Sequence, residues 1–194
     1  MRVLVACEFS GVVRDAFLRM GHDAWSCDLL ETEVAGPHIV GDVLGVLGGG
    51  WDLMVAHPPC THLAVSGAAW FYRKKVEQEE ALEFVRQLLA APIGRICLEN
   101  PVSVISTRIR KPDQTIQPWQ FGHPEQKRTC LWLKNLPKLV ETTVVTLPEK
   151  KSERERLHYL SPGPNRWRER SRTYQGIADA MAEQWGREGL DLFG

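Results

Sequence analysis

Short apolar runs alternate with one long amphipathic run and with polar breaks along this chain. Val3–Cys7 is continuous and apolar, and it predicts a first, buried strand. Glu8 to Gly11 reads as a turn. Val12–Met20 then has helical spacing, with Val13, Phe17 and Met20 on one face, and Gly21 stops it. His22–Cys27 predicts a second strand, Ile39–Asp42 a short third, and Leu53–Ala56 a fourth. Glu77–Ala91 carries the clearest helical stripe: Ala81, Leu82, Val85, Leu88 and Leu89. Arg95–Leu98 predicts a fifth strand and Thr129–Leu133 a sixth. Tyr174–Trp185 predicts a closing helix with Ile177, Ala180, Met181 and Trp185 as its buried stripe. Strands alternating with helices predict an α/β fold, a mostly parallel sheet with helices on both faces.

The strand ends matter most. After Leu53–Ala56 the chain breaks at His57-Pro58-Pro59, because neither proline can donate to a sheet ladder. Cys60 is thus delivered just past a carboxyl end, where open α/β sheets place ligand crevices. It is a candidate nucleophile; the plainer reading is a small cysteine capping a turn. Glu8, Asp28 and Glu99 follow other strands in the same way, and parallel strands would bring all four to one edge.

Composition narrows the field. The 194 residues fit one domain with a sizeable core. Lysine plus arginine (24) balances aspartate plus glutamate (24), so nucleic-acid binding must use a local patch. No apolar run approaches the roughly 20 residues of a membrane span, and the amino-terminal run is too short for a signal peptide. Five scattered cysteines predict free thiols in a cytoplasmic protein, of bacterial or phage-infected cells if the likeness described next holds. Two segments, about 103–125 and 148–172, read as loop-like insertions in the one domain. The second interleaves Arg154, Arg156, Arg166, Arg168, Arg170 and Arg172 with Tyr159 and Trp167. These arginines either grip phosphate or are neutralised by Glu149, Glu153, Glu155 and Glu169. Arg73-Lys74-Lys75, followed by Glu77, Glu79 and Glu80, reads as a solvated helix start.

The order of motifs resembles the DNA cytosine-5 methyltransferases, in particular a compact, phage-encoded branch. The likeness runs from Val3 to Trp185. It rests on Phe9-Ser10-Gly11, Asp28, Gly41-Asp42, Pro58-Pro59-Cys60, Glu99-Asn100-Pro101, Gln126-Lys127-Arg128 and Tyr174-Gln175-Gly176, each at its strand or helix end. The resemblance implies a Rossmann-like S-adenosylmethionine-dependent methyltransferase fold, with DNA, double- or single-stranded, as partner. It implies Cys60 as the thiolate that adds to C6 of cytosine. Glu99 would be an acid of raised pKa at N3, and Arg128 would pair with the base carbonyl or hold Glu99. For the donor it implies Phe9 on adenine, Ser10-Gly11 and Pro58 beside the methionine part, Asp28 on the ribose and Asp42 on the adenine amino group. The unspecialised alternatives are core packing for Phe9, a turn for Gly11, and helix caps for Asp28 and Asp42.

The chain departs from the pattern in three places. Val12 and Val13 stand where small residues are expected, Cys130 replaces a second arginine, and only about 40 residues separate the sixth strand from the last helix. That is too few for an independent recognition domain, so short-sequence recognition, with a homodimer as one means to it, is the expectation. Rival readings are pyrimidine chemistry on free nucleotides or single strands, an adenine amino-methyltransferase, and a degenerate domain that binds DNA or a partner methyltransferase. His57-x-x-Cys60-x-His62 offers three metal-ligand types, but Pro58-Pro59 stiffens the spacing and no metal is expected.

Overall fold

The computed structural model describes residues 1–65 and 74–187. Seven strands form one sheet: β1 (Arg2–Ala6), β2 (Asp23–Asp28), β3 (His38–Val40), β4 (Leu53–Ala56), β5 (Arg95–Pro101), β6 (Gln114–Ile116) and β7 (Thr129–Lys134). Their spatial order is β3-β2-β1-β4-β5-β7-β6. β1 to β5 pair in parallel, while β7 runs antiparallel between β5 and β6. This is the mixed, mostly parallel, Rossmann-like sheet that the alternation predicted.

The apolar runs become inner strands because both sheet faces are covered. Val3, Val5, Leu53 and Val55 point to one face and meet α1 (Val12–Arg19) and α7 (Gln175–Trp185) through Val13, Phe17, Ile177 and Met181. Leu4, Ala6, Met54 and Ala56 point to the other and meet α2 (Lys75–Leu89) through Leu82, Val85 and Leu88. Strand order reverses between β1 and β4, so the connections after them diverge and open a crevice at the carboxyl edge.

Several expectations change. Met20 faces solvent, because α1 ends at Arg19 and Gly21, at φ 81°, turns the chain away. The third strand stops at Val40; Asp42 instead caps a 3-10 turn by accepting from the Leu44 N–H at 3.0 Å. The 103–125 insertion holds a helical turn, α3 (Ile105–Arg108), and the edge strand β6. β6 has only three residues, too few to show alternation, and the Gln114 amide ties it to both backbone groups of Leu139 at 2.8 Å. The 148–172 insertion folds into α4 (Lys151–Arg154), α5 (Arg156–Tyr159) and α6 (Arg166–Ser171). Trp70 and Arg73 lie outside the described residues.

Arg14, counted as polar in the sequence, is fully buried. Its guanidinium pairs with Asp15 at 2.8 Å and donates to Ser26, Thr32 and the carbonyls of Val34 and Ala35. That set ties the β2–β3 connection to α1. Among the described residues no helix is long and apolar enough to cross a membrane.

The start of α7 sits directly on the chain before β7. Gly176 donates its N–H to His123 Nε2 at 2.9 Å, and a Cβ there would lie 1.8 Å from the Phe121 carbonyl oxygen. Gly176→Ala should therefore destabilise the protein by about 1–3 kcal/mol, the usual range for overpacking, read as a lower urea midpoint with unchanged slope.

Candidate functional site

Register and pleat build the site. β4 and β5 pair Val55 with Cys97 and Ala56 with Leu98. Continued one step, that register sets His57 beside Glu99, and a second step sets Pro58 beside Asn100. Both contacts form: His57 Nδ1 lies 3.3 Å from Glu99 Oε2, and Asn100 Nδ2 donates to the Pro58 carbonyl at 2.9 Å. β5 runs three residues past its last partner on β4, because β7 supports it on the other side through Glu99–Leu131, Asn100–Cys130 and Pro101–Thr129. Glu99 is thus a strand residue whose direction is fixed by a ladder, not a loop residue.

Cys60 opens the turn that follows. Its carbonyl accepts from the Leu63 and Ala64 N–H groups at 3.0 and 2.9 Å. Val65 and Val104 exchange backbone bonds with Val102 and Leu63, so the turn is sewn to the segment after β5. Cys60 is the exposed cysteine; Cys27, Cys97 and Cys130 are buried and Cys7 is half-buried.

The charges interlock. Partial burial raises the Cys60 thiol pKa, Glu99 raises it further, and Lys127 and Arg170 oppose both. Burial also pushes the Glu99 carboxyl up, but the His57 hydrogen bond, the Lys127 charge and the Thr129 hydroxyl outweigh it and hold the group below its ordinary value. The raised pKa expected for Glu99 is therefore reversed in the resting protein. The cation that bears on Glu99 and Cys60 is Lys127, not the expected Arg128. Thr129 and Leu131 share the face of Glu99; Lys127 lies just before this strand, with Nζ donating to the Arg172 carbonyl at 3.2 Å, and its charge bears on Glu99 from there. Arg128 has the opposite parity; it is exposed and its charge registers on Cys130.

A larger cavity of about 470 Å³ opens beside this site at the ends of β1 to β4. Asp28, Gly41, Asp42 and Pro59 line it from the sheet side, and Glu77, Glu80 and Phe84 from α2. Asp28 and Asp42 each use one carboxylate oxygen on a backbone N–H, from Leu30 and Leu44, both at 3.0 Å. The helix-cap reading thus holds for Asp42, while Asp28 closes a turn with no helix after it, and each keeps one oxygen outside those bonds. Pro58 is buried and Pro59 takes the cavity wall in its place.

The β1 loop is arranged differently from the expectation. Phe9 does not face the large cavity; it packs on Trp167 with ring centroids 5.4 Å apart, a contact that buries it. Ser10 donates to Glu8 Oε1 at 3.1 Å. The Glu8 carboxylate accepts from the Val13 and Arg14 N–H groups at 2.8 and 3.2 Å, closing the α1 amino terminus. Gly11, at φ 74°, has Val34 and the Arg14 guanidinium within 2.6 Å of where a Cβ would stand, so it is glycine for the turn.

The arginine-rich segment lies over this loop. Arg168 and Arg172 both pair with Glu33, and Arg156 pairs with Glu125 at 3.0 Å. Much of its charge is therefore spent inside the fold. Arg170 is exposed, pairs with no carboxylate among the described residues, and reaches Cys60 electrostatically. The two histidines of the metal-like triplet face different spaces: His57 borders a small cavity with Phe9 and Thr173, and His62 borders the large one. The sequence reading named His57 only as a metal-ligand type, Lys127 only within the Gln126-Lys127-Arg128 motif and Arg170 only as a phosphate contact; their bearing on Cys60 and Glu99 was not foreseen.

No model of a known protein family matches the chain, and no curated protein matches it. Among solved structures it is similar to a "putative DNA modification methyltransferase" encoded within an E. coli prophage, at 12% identity and a TM-score of 0.52. The match covers 84% of this chain and 55% of that one, so the chain spans about half that protein's length. At this identity the likeness concerns the fold.

Iodoacetamide at neutral pH should modify Cys60 before the other four thiols. Glu99→Gln should accelerate that reaction, since it removes a charge that disfavours the thiolate, and Lys127→Gln should slow it. Peptide mass spectrometry against time gives the three rates.

Proposed function

We propose that the protein is an S-adenosylmethionine-dependent DNA cytosine-5 methyltransferase. The observation that carries this reading is the β4–β5 register, which sets the start of the His57-Pro58-Pro59-Cys60 break beside Glu99 and Asn100, next to a cavity of cofactor size. A pyrimidine C5 is a weak nucleophile, and a thiolate added at C6 makes it an enamine carbon. Cys60 supplies that sulfur. Glu99, in protonated form, donates to N3 as negative charge develops there. Lys127 and Arg170 favour the thiolate and, being cationic at the mouth, attract a phosphate backbone. When C5 has gained its methyl group, a water molecule takes the C5 proton, the Cys60–C6 bond breaks and the thiolate leaves. C6 is inaccessible inside a stacked duplex, so the base must be flipped out or offered on a single strand.

The large cavity fits the donor on its own chemistry. Asp28, Asp42, Glu77 and Glu80 line it, and among the described residues no lysine or arginine does. Such walls repel nucleoside di- and triphosphates and the pyrophosphate of a dinucleotide. They suit S-adenosylmethionine, which carries a sulfonium and an ammonium group. Asp28 would hold the ribose hydroxyls and Asp42 the adenine amino group, each with the oxygen its turn leaves over. Bound there, S-adenosylmethionine supplies an electrophilic methyl group.

A second reading keeps the chemistry and moves it to free pyrimidine nucleotides or single strands. The arginine segment favours it, because Arg156, Arg168 and Arg172 are already paired with carboxylates and that leaves fewer cations for a duplex backbone.

Labelled S-adenosylmethionine, offered with duplex DNA, single-stranded DNA and dCMP in parallel, should label DNA, and Cys60→Ser should abolish the transfer. Label in none of the three, or undiminished transfer by Cys60→Ser, refutes the reading. Asp42→Asn should weaken donor binding in calorimetry by about tenfold or more, the usual loss for one charged hydrogen bond.

A further inference from the structure

Glu99 has a neighbour that the chemistry above does not use. His57 is nearly buried, with Nδ1 3.3 Å from Glu99 Oε2. A carboxylate only accepts, so Nδ1 carries the hydrogen and Nε2 of the neutral ring is left with a lone pair. Nε2 is buried and has no partner among the described residues. An orphaned polar atom of this kind is costly and points to a water or a functional role. The ring borders a cavity of about 40 Å³, walled by Glu8 and Ser10 from the β1 loop and by Ser171, Arg172 and Thr173 from the end of α6. That space accepts a water molecule and has polar walls to hold it.

We propose that His57 is a positioning residue that both holds the Glu99 carboxyl and relays its proton from the small cavity. The inference rests on the reading of Glu99 as the acid at N3. At rest Glu99 faces His57, Lys127 and the Thr129 hydroxyl, all of which favour its ionised form. It therefore needs a proton brought to it before it can donate one. The step balances without a redox partner. A proton from solvent passes through the cavity water to Nε2, Nδ1 gives its own to Glu99 Oε2, and the resulting acid donates to N3. When the adduct collapses, N3 returns the proton to the carboxylate, Nδ1 regains it, and Nε2 hands its proton through the same water back to solvent. The other groups around this path are Cys60 on the substrate side, and Cys7, Glu8 and Arg172 around the cavity.

His57→Asn separates the two roles, since its amide nitrogen stands near the position of Nδ1 but has no proton to pass on. With duplex or single-stranded DNA, KM should stay within about twofold of wild type. The kcat should fall by about a hundredfold, the usual share of one proton transfer, and the kcat–pH profile should lose one inflection. Wild-type kcat and pH profile in His57→Asn overturn the relay and leave only a hydrogen bond. Nitrogen-15 NMR of the free protein tests the pair without any reaction: the His57 ring titration should move in Glu99→Gln, and an unmoved titration overturns the pair. If the wild-type protein transfers no methyl group to any substrate, the relay falls together with the assigned function, and the NMR result alone decides whether His57 and Glu99 are coupled.

Discussion

The parallel register between β4 and β5 is the constraint from which the site follows. Ala56 opposite Leu98 fixes what comes next on each strand, because side chains alternate with a period of two. His57 and Glu99 then share one face, and Asn100 lies where its amide reaches the Pro58 carbonyl. That one bond braces the proline pair from which Cys60 emerges. A slip of one residue would send Glu99 toward the α2 side and leave Cys60 without a carboxylate neighbour.

The site is charged in layers. Lys127 and Arg170 favour ionisation of Cys60, Glu99 opposes it, and His57 and Lys127 keep Glu99 itself ionised at rest. A free thiol beside a carboxylate is therefore quiescent until the carboxyl takes up a proton. Uptake would remove one negative charge from the vicinity of Cys60 and favour its thiolate. Under the proposed chemistry, the acid at N3 and the nucleophile at C6 would thus be promoted by the same protonation.

Charge divides this edge of the sheet. Among the described residues the larger cavity is walled by carboxylates and no cation, while the Lys127 and Arg170 charges act on Cys60. The arginine segment settles this division by folding inward. Arg168 and Arg172 on Glu33, with Trp167 on Phe9, hold α6 against the β1 loop. Arg154, Arg166 and Arg170 keep no carboxylate partner among the described residues, and of these Arg170 is the one whose charge bears on Cys60.

Apolar runs and proline breaks determined which segments are strands and where they end, because burial on both faces requires unbroken apolar sequence and proline cannot continue a ladder. Hence β1, β2, β4, β5, the α2 stripe and the placing of Cys60 were legible. So were Asp28 and Asp42 at strand ends, where the cavity now lies. β6 was not legible, since three residues show no period and its stability comes from pairing with β7 and from Gln114 on Leu139. Tertiary structure alone decided that Arg14 is buried, that Phe9 turns to Trp167, that the charge of Lys127 rather than that of Arg128 bears on Glu99, and that His57 is the partner of Glu99. Each of these depends on which distant strand or helix supplies the other half of the contact. A linear pattern records what a residue prefers, and only the assembled sheet determines what stands beside it.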